Sequence, residues 1–296
     1  NHLIVSAIEH PAVLETCRFL ETVGYRVTYL EVDEYGLVAP QTLRDALSPD
    51  TILVSVMLAN NEVGTIQPVA ELSRVTHEAG ALFHTDAVQA AGKIPIDVDA
   101  LNVDLLTLSG HKFHGPKGVG ALYVKRGVVL SPLVHGGRQE GGLRAGTENV
   151  PGIVGMGKAA ELARDTIARA ADVARLRDAL HEQIVRRLPD AALNGHPEHR
   201  LPNTLNLTLP GLRGESLVVA LDQHGISLSS GSACKSGSPE PTHVLIAMGK
   251  PAEDVHCSIR LSLAHDTSAA DIDTTVTALD RVLEEMETTV RFLPCK

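Results

Sequence analysis

From Leu3 to about Arg126, short β-branched apolar runs take turns with stretches whose apolar residues recur at helical spacing. "LIVSAI", "RVTYLEV", "TILVSVML", "ALFHTDA" and "VDLLTLS" predict strands, since short runs that are apolar nearly throughout suit strands covered on both faces. "PAVLETCRFLETVG" predicts a helix with Pro11 near its start and Gly24 at its end, and "PQTLRDAL" and "PVAELSRVTHEAG" predict two more. This alternation is the signature of an α/β domain built on a mostly parallel sheet with helices on both faces. In that architecture ligands sit at the carboxyl ends of the strands, so the residues just after each strand are the first candidates for chemistry.

The pattern changes after Val150. "GKAAELARDTIARAADVARLRDALHEQIVRRL" predicts a helix or helix pair linking one domain to the next. Beyond it "NTLNLTL", "ISLSSGSA" and "SIRLSLA" predict strands, and "GESLVVALDQHG" and "AADIDTTVTALDRVLEEMETTV" predict helices. The expected organisation is a large ligand-binding domain over 1–150, a linking helical segment over 151–188 and a small α+β domain over 189–296. Asn1 runs directly into the first predicted strand, which leads to the expectation that a segment of the protein precedes it.

Composition narrows the function classes. A chain of 296 residues can bury a large core, and a net charge of −10 argues against a nucleic-acid backbone as the main partner. No apolar run approaches the roughly 20 residues of a membrane span, and no basic segment followed by an apolar one opens the chain. A cytoplasmic protein is the expectation. The four cysteines show no CxxC spacing, so neither a zinc site nor a disulfide framework is indicated. Cys17 and Cys257 lie in apolar-periodic segments and read as core, while Cys295 falls near the chain end and is left unassigned.

Four of the predicted strand ends in the first half carry polar or ionisable groups of interest: Glu9 and His10, then Asn60, Asn61 and Glu62, then Asp86 and Gln89, then Ser109, His111 and Lys112. A lysine desolvated at a strand end loses its preference for the charged form, and a neutral amine attacks aldehydes. Alone, Lys112 reads as a solvated loop lysine, as Lys117 in "GPKG" does. Asp86 changes the balance. Pyridoxal 5'-phosphate serves as an electron sink when a lysine holds its aldehyde and an aspartate keeps its pyridine nitrogen protonated, and two neighbouring strand ends supply that pair. Without that context Asp86 would be a helix cap and Gln89 a solvated side chain.

The same logic extends outward. His10 suits stacking on a pyridine ring and relaying protons, Gln89 the phenolic oxygen, and Asn61 a cofactor oxygen or substrate carboxylate. Ser109 and His111 flank Gly110 and suit a phosphate, and Thr147, in the glycine-rich "GGRQEGGLRAGTENV", suits another anion or marks a plain connector. Arg260 puts a charge inside a β-branched run and requires a partner, either a substrate carboxylate or an internal acid. Cys234, in the Ser- and Gly-rich "SSGSACKSGSPEP" beside Lys235, suits a thiolate nucleophile on what reads as a mobile loop.

Taken in order, "EHPAV", "NNEVGTIQ", "HTDAVQ", "SGHKFHGPKGVGALYV", "GLRAGTENV", "SSGSAC" and "SIRLSL" resemble the NifS/IscS-like cysteine desulfurases of the class V aminotransferase group, over nearly the whole chain. The resemblance implies an aspartate-aminotransferase-like, fold type I large domain with a small C-terminal domain. It implies that Lys112 holds pyridoxal phosphate, with Asp86 on the pyridine nitrogen, Gln89 and Asn61 on the ring-oxygen side and His10 stacked on the ring. Ser109 and His111 would hold the phosphate, Thr147 would reach the phosphate of the neighbouring subunit in a homodimer, and Arg260 would bind the carboxylate of L-cysteine. Cys234 would take the sulfur as a persulfide for an acceptor, an iron–sulfur scaffold or a tRNA or DNA sulfur-modification protein. Family members carry a segment before the first strand, with a phosphate-binding turn. The alternatives are selenocysteine lyase or another class V activity, and a non-catalytic fragment that serves a sulfur acceptor as an interaction module.

Overall fold

The computed structural model describes residues 1–231 and 240–292, with side chains as far as 286. The chain divides into two compact units. One takes Asn1–Leu30, Pro40–Ala59 and Gln67–Ala168; the other takes Glu31–Ala39, Asn60–Ile66 and the chain from Arg169 onward.

The first unit is a βα repeat. In chain order it holds β1 (His2–Ser6), α1 (Pro11–Thr22), β2 (Arg26–Leu30), α2 (Pro40–Ala46), β3 (Thr51–Ser55), α3 (Val69–Glu78), β4 (Leu82–Asp86), α4 (Val98–Leu101), β5 (Leu105–Ser109), β6 (Gly120–Val124) and α5 (Val150–Ala168). The sheet order is β2-β1-β3-β4-β5-β6. All pairs are parallel except β5 with β6. Residues 110–119 alone separate those two strands, fewer than the dozen or so a parallel crossover needs, so the chain turns back instead. β1 is buried along its whole length, as its apolar run predicts, and Gly24 closes α1 at φ +97°, where a side chain would be strained.

Strand order reverses across β1: the chain adds β2 on one side, then β3, β4 and β5 on the other. The carboxyl ends of β1 and β3 therefore open a crevice, with those of β4 and β5 beside it.

The second unit holds α6 (Ala170–Arg187), β7 (Ala192–Asn194), β8 (Thr204–Thr208), α7 (Gly214–Asp222), β9 (Ser229–Ser230), α8 (His243–Ala247), α9 (Ala252–His256), β10 (Ser258–Ser262) and α10 (Ala269–Phe292). Its sheet is antiparallel in the order β7-β8-β10-β9. The period-two pattern of β8 aims Leu205 and Leu207 into a core with Leu180, Leu217, Ile259 and Val276. Asn206, between them, turns the other way and bonds the Asn194 amide and the Glu62 carbonyl, so its buried amide is satisfied.

Cys17 is buried on α1, and burial raises its thiol to about 11, the inert core residue the sequence predicts. Cys257 departs from that expectation. It ends α9 just before β10 and stays half-buried, because its position is a boundary and not a strand interior. No described helix is long and apolar enough to cross a membrane.

Candidate active site

Five of the predicted groups, His10, Asp86, Ser109, His111 and Lys112, gather at the carboxyl ends of the parallel strands. His10 follows β1 and caps α1: its Nδ1 accepts the Ala12 N–H at 3.1 Å, so the neutral ring carries its proton on Nε2, pointing away from the helix. Asp86 closes β4 and is 8 % exposed. Its Oδ1 accepts the Val88 N–H at 2.9 Å, and no ion pair to a basic side chain is found for it among the described residues. Burial raises the Asp86 pKa, with the Val88 N–H and the nearby His10 offsetting part of that rise.

β5 lies beside β4 with Thr107 opposite Asp86, which brings the next group within the same row. Ser109 ends β5, and a 3₁₀ turn over Gly110–Phe113 carries His111 and Lys112. Ser109 Oγ and His111 Nδ1 share a hydrogen bond of 2.9 Å, so the predicted phosphate-side pair is assembled. The loop is tight, leaving no room for a side chain at Gly115 and little at Gly110. A Cβ on Gly115 would lie 2.8 Å from the Gly110 carbonyl oxygen, and one on Gly110 3.1 Å from Val119.

The expectation of a desolvated Lys112 is not met. Lys112 is exposed, because the turn carries it one step past the strand rather than leaving it inside. Lys93, partly buried in the turn after β4, has its pKa pushed down to about 8 by burial and by the neighbouring Lys112. The sequence offered one signal for it: Lys93 stands four residues after Gln89.

Glu9 is a second group whose importance shows only in the fold. It is fully buried beyond β1 and accepts the Met57 N–H, spanning the crevice between the ends of β1 and β3. Burial lifts its pKa well above the ordinary carboxylate range, the Met57 N–H opposes this, and the Asp86 charge adds to it.

His84, two residues before Asp86 on β4, shares its face of the sheet and is clamped by Ser55 Oγ at 2.7 Å and Thr107 Oγ1 at 2.8 Å. Burial lowers its pKa to about 4. The folded value lies below the ordinary one, so this group's contribution is fully present above about pH 6.5 and is lost as pH falls toward 4. His84 keeps some exposure, which reduces the expected loss to about 1–2 kcal/mol between about pH 7 and about pH 5. Urea midpoints at the two pH values check this: the drop should shrink in His84→Gln and stay unchanged if another group carries it.

The remaining predicted residues fall elsewhere. Thr147 is exposed on the segment before α5, and no hydrogen bond or ion pair ties it to the cluster among the described residues. Asn61 and Arg260 belong to the second unit and meet there: Arg260 donates to the Asn61 carbonyl at 2.9 Å and to Ser229 Oγ at 3.2 Å. Both partners are neutral, and no acid pairs with Arg260 among the described residues. Cys234 and Cys295 lie outside the described residues.

Among the described residues Asp86 is a buried acid with no ion pair, and the turn after the neighbouring strand bears Lys112 together with the hydrogen-bonded Ser109 and His111, a set of groups whose chemistry suits a pyridoxal phosphate. The model of the aminotransferase class-V family matches residues 1–275. Cysteine desulfurase IscS of Methanosarcina thermophila is 52% identical over 287 residues, which cover 97% of this chain and 71% of the relative. A solved structure of a NifS-like protein superposes with a TM-score of 0.89 at 41% identity, covering 96% of this chain and 75% of the other. The structure titled SspA in complex with cysteine superposes with a TM-score of 0.74 at 39% identity, covering 88% and 73%. Matched along nearly all of its length, the chain belongs to the cysteine desulfurases of the pyridoxal-phosphate-dependent class-V aminotransferase family.

Proposed function

We propose that this chain removes sulfur from L-cysteine, with Lys112 holding pyridoxal phosphate and Cys234 receiving the sulfur. The observation that supports it most directly is Asp86, a buried carboxylate with no basic partner among the described residues at the strand end beside Lys112. When bound, the cofactor supplies an electron sink that takes up the charge developing on the substrate carbon. Everything else is the work of the chain.

Arg260 binds the substrate carboxylate. Among the described residues Arg260 donates to Asn61 and Ser229, two of its five N–H donors, and its planar fork suits a carboxylate. Lys112, which would hold the cofactor, and His10 at Nε2 would take and return protons at the substrate. The Cys234 thiolate attacks the sulfur of cysteine, an S–S bond forms, the Cβ–S bond breaks with its electron pair left on the carbon side, and a proton completes alanine. Cysteine and one enzyme thiol thus become alanine and one enzyme persulfide, with atoms and electrons balanced. The persulfide then passes to an acceptor protein, an iron–sulfur scaffold or a partner that modifies tRNA or DNA. A reducing cytoplasmic setting suits a thiol that must stay free.

A homodimer accounts for Thr147. The segment that precedes and includes it exposes large apolar side chains, Val129 at 91 % and Leu133 at 94 %, and the start of α5 adds Val150 and Val154. Apolar residues concentrated in this way mark interfaces. Across such an interface Thr147 would serve the partner's phosphate.

The test is Cys234→Ala in the cofactor-loaded protein, supplied with cysteine and followed by alanine release and by labelling of protein-bound sulfane sulfur. The expected result is loss of the persulfide, with turnover down on the order of 10³-fold or more. Undiminished sulfur transfer would move the assignment to a lyase that does not use this thiol.

A further inference from the structure

Lys93 has no part in the chemistry described above, yet its position is constrained from two sides. The turn after β4 is wound by Ala91 N–H to Ala87 O and Lys93 N–H to Ala90 O, which sets Lys93 one turn beyond Gln89. Its Nζ reaches back to the Gln89 carbonyl at 2.8 Å and to the Gln89 side-chain Oε1 at 3.4 Å. The turn also presses on the 3₁₀ turn that bears Lys112. Gly92 has φ +72°, and a Cβ there would stand 2.9 Å from Phe113 Cβ. Burial and the Lys112 charge both disfavour the charged form of this amine, and the Gln89 oxygens are the acceptors it reaches.

We propose that Lys93 is a positioning residue for the cofactor: by holding the oxygens of Gln89 it orients that amide so that the N–H donors, and not the carbonyl, face the ring oxygen of pyridoxal phosphate. A free glutamine amide presents either end. With Oε1 engaged by an ammonium, the NH₂ end alone is left to present. Donation from it favours the ionised form of the ring oxygen, whereas a carbonyl turned that way would oppose it. The inference rests on the reading of Gln89 as a cofactor contact.

The experiment compares loaded wild type, Lys93→Met, Lys93→Arg, Gln89→Ala and the Lys93→Met/Gln89→Ala double variant by visible absorption spectrum and by the dissociation constant for pyridoxal phosphate. Lys93→Met should shift the visible band and weaken cofactor binding by about tenfold, the scale of one charge-assisted contact. Lys93→Arg should restore most of both, and the double variant should match Gln89→Ala alone. A Lys93→Met effect that adds in full to that of Gln89→Ala overturns the proposal, as does an unchanged spectrum in Lys93→Met. If Gln89→Ala itself moves neither reading, the assignment of Gln89 falls first and the proposal with it. Lys93→Ala, which demands no extra space, carries the same comparison if the methionine variant does not fold.

Discussion

Lys112→Ala, mixed with pyridoxal phosphate, should show no protein-bound visible band and should lose desulfurase activity on the order of 10⁴-fold or more, the scale of removing a covalent catalytic group. Lys112 is exposed on a turn that packs around Phe113, so the truncation removes no buried contact and the thermal midpoint of the cofactor-free protein should barely move. Lys117, five residues on and also exposed, is the internal control: Lys117→Ala should keep both the band and the activity. A Lys112→Ala protein that keeps the band would transfer the aldehyde to another amine. Lys93 is the amine to examine next, since it neighbours Lys112 and its pKa of about 8 leaves part of it neutral near physiological pH.

That contrast between the two lysines shows what one-dimensional information carries. Strand-end positions were legible, because a βα repeat fixes which end of each strand faces the ligand, and His10, Asp86, Ser109 and Lys112 all fall there. Burial was not legible for single charged residues. The sequence places the desolvated amine at Lys112, whereas one further turn of backbone exposes it and the packing of Gly92 on Phe113 shelters Lys93 instead. The burial of Glu9 and His84 was not legible for a related reason: it depends on Met57, Ser55 and Thr107, which become neighbours only when the strands pair. β6 was not among the predicted strands, and its antiparallel direction follows from the short return from β5. Arg260 announced that it needed a partner, but the Asn61 carbonyl that meets it lies 199 residues away.

Asp86 yields the sharpest pair of opposed effects. Burial raises its pKa, so the folded protein holds that proton more tightly than the unfolded chain does, and ionising Asp86 as pH rises through the folded value costs stability. Asp86→Asn removes that cost while keeping the oxygen that accepts the Val88 N–H, so the cofactor-free variant should unfold at a higher temperature than wild type at neutral pH. The advantage should fade as pH is lowered into the range where Asp86 is protonated in both states. The loaded enzyme should respond in the opposite sense. An asparagine cannot hold the pyridine nitrogen protonated, and losing one member of a buried charge pair costs roughly 3–5 kcal/mol, or about 10²–10⁴-fold in turnover. Differential scanning of the cofactor-free proteins and alanine release by the loaded ones read the two effects separately. A variant less stable than wild type at neutral pH would mean that Asp86 is already satisfied within the protein. Undiminished turnover would mean that the pyridine nitrogen is governed from elsewhere. The acid that destabilises the empty fold is, on this account, the acid the cofactor requires, so its burial is a cost that binding of the pyridinium offsets.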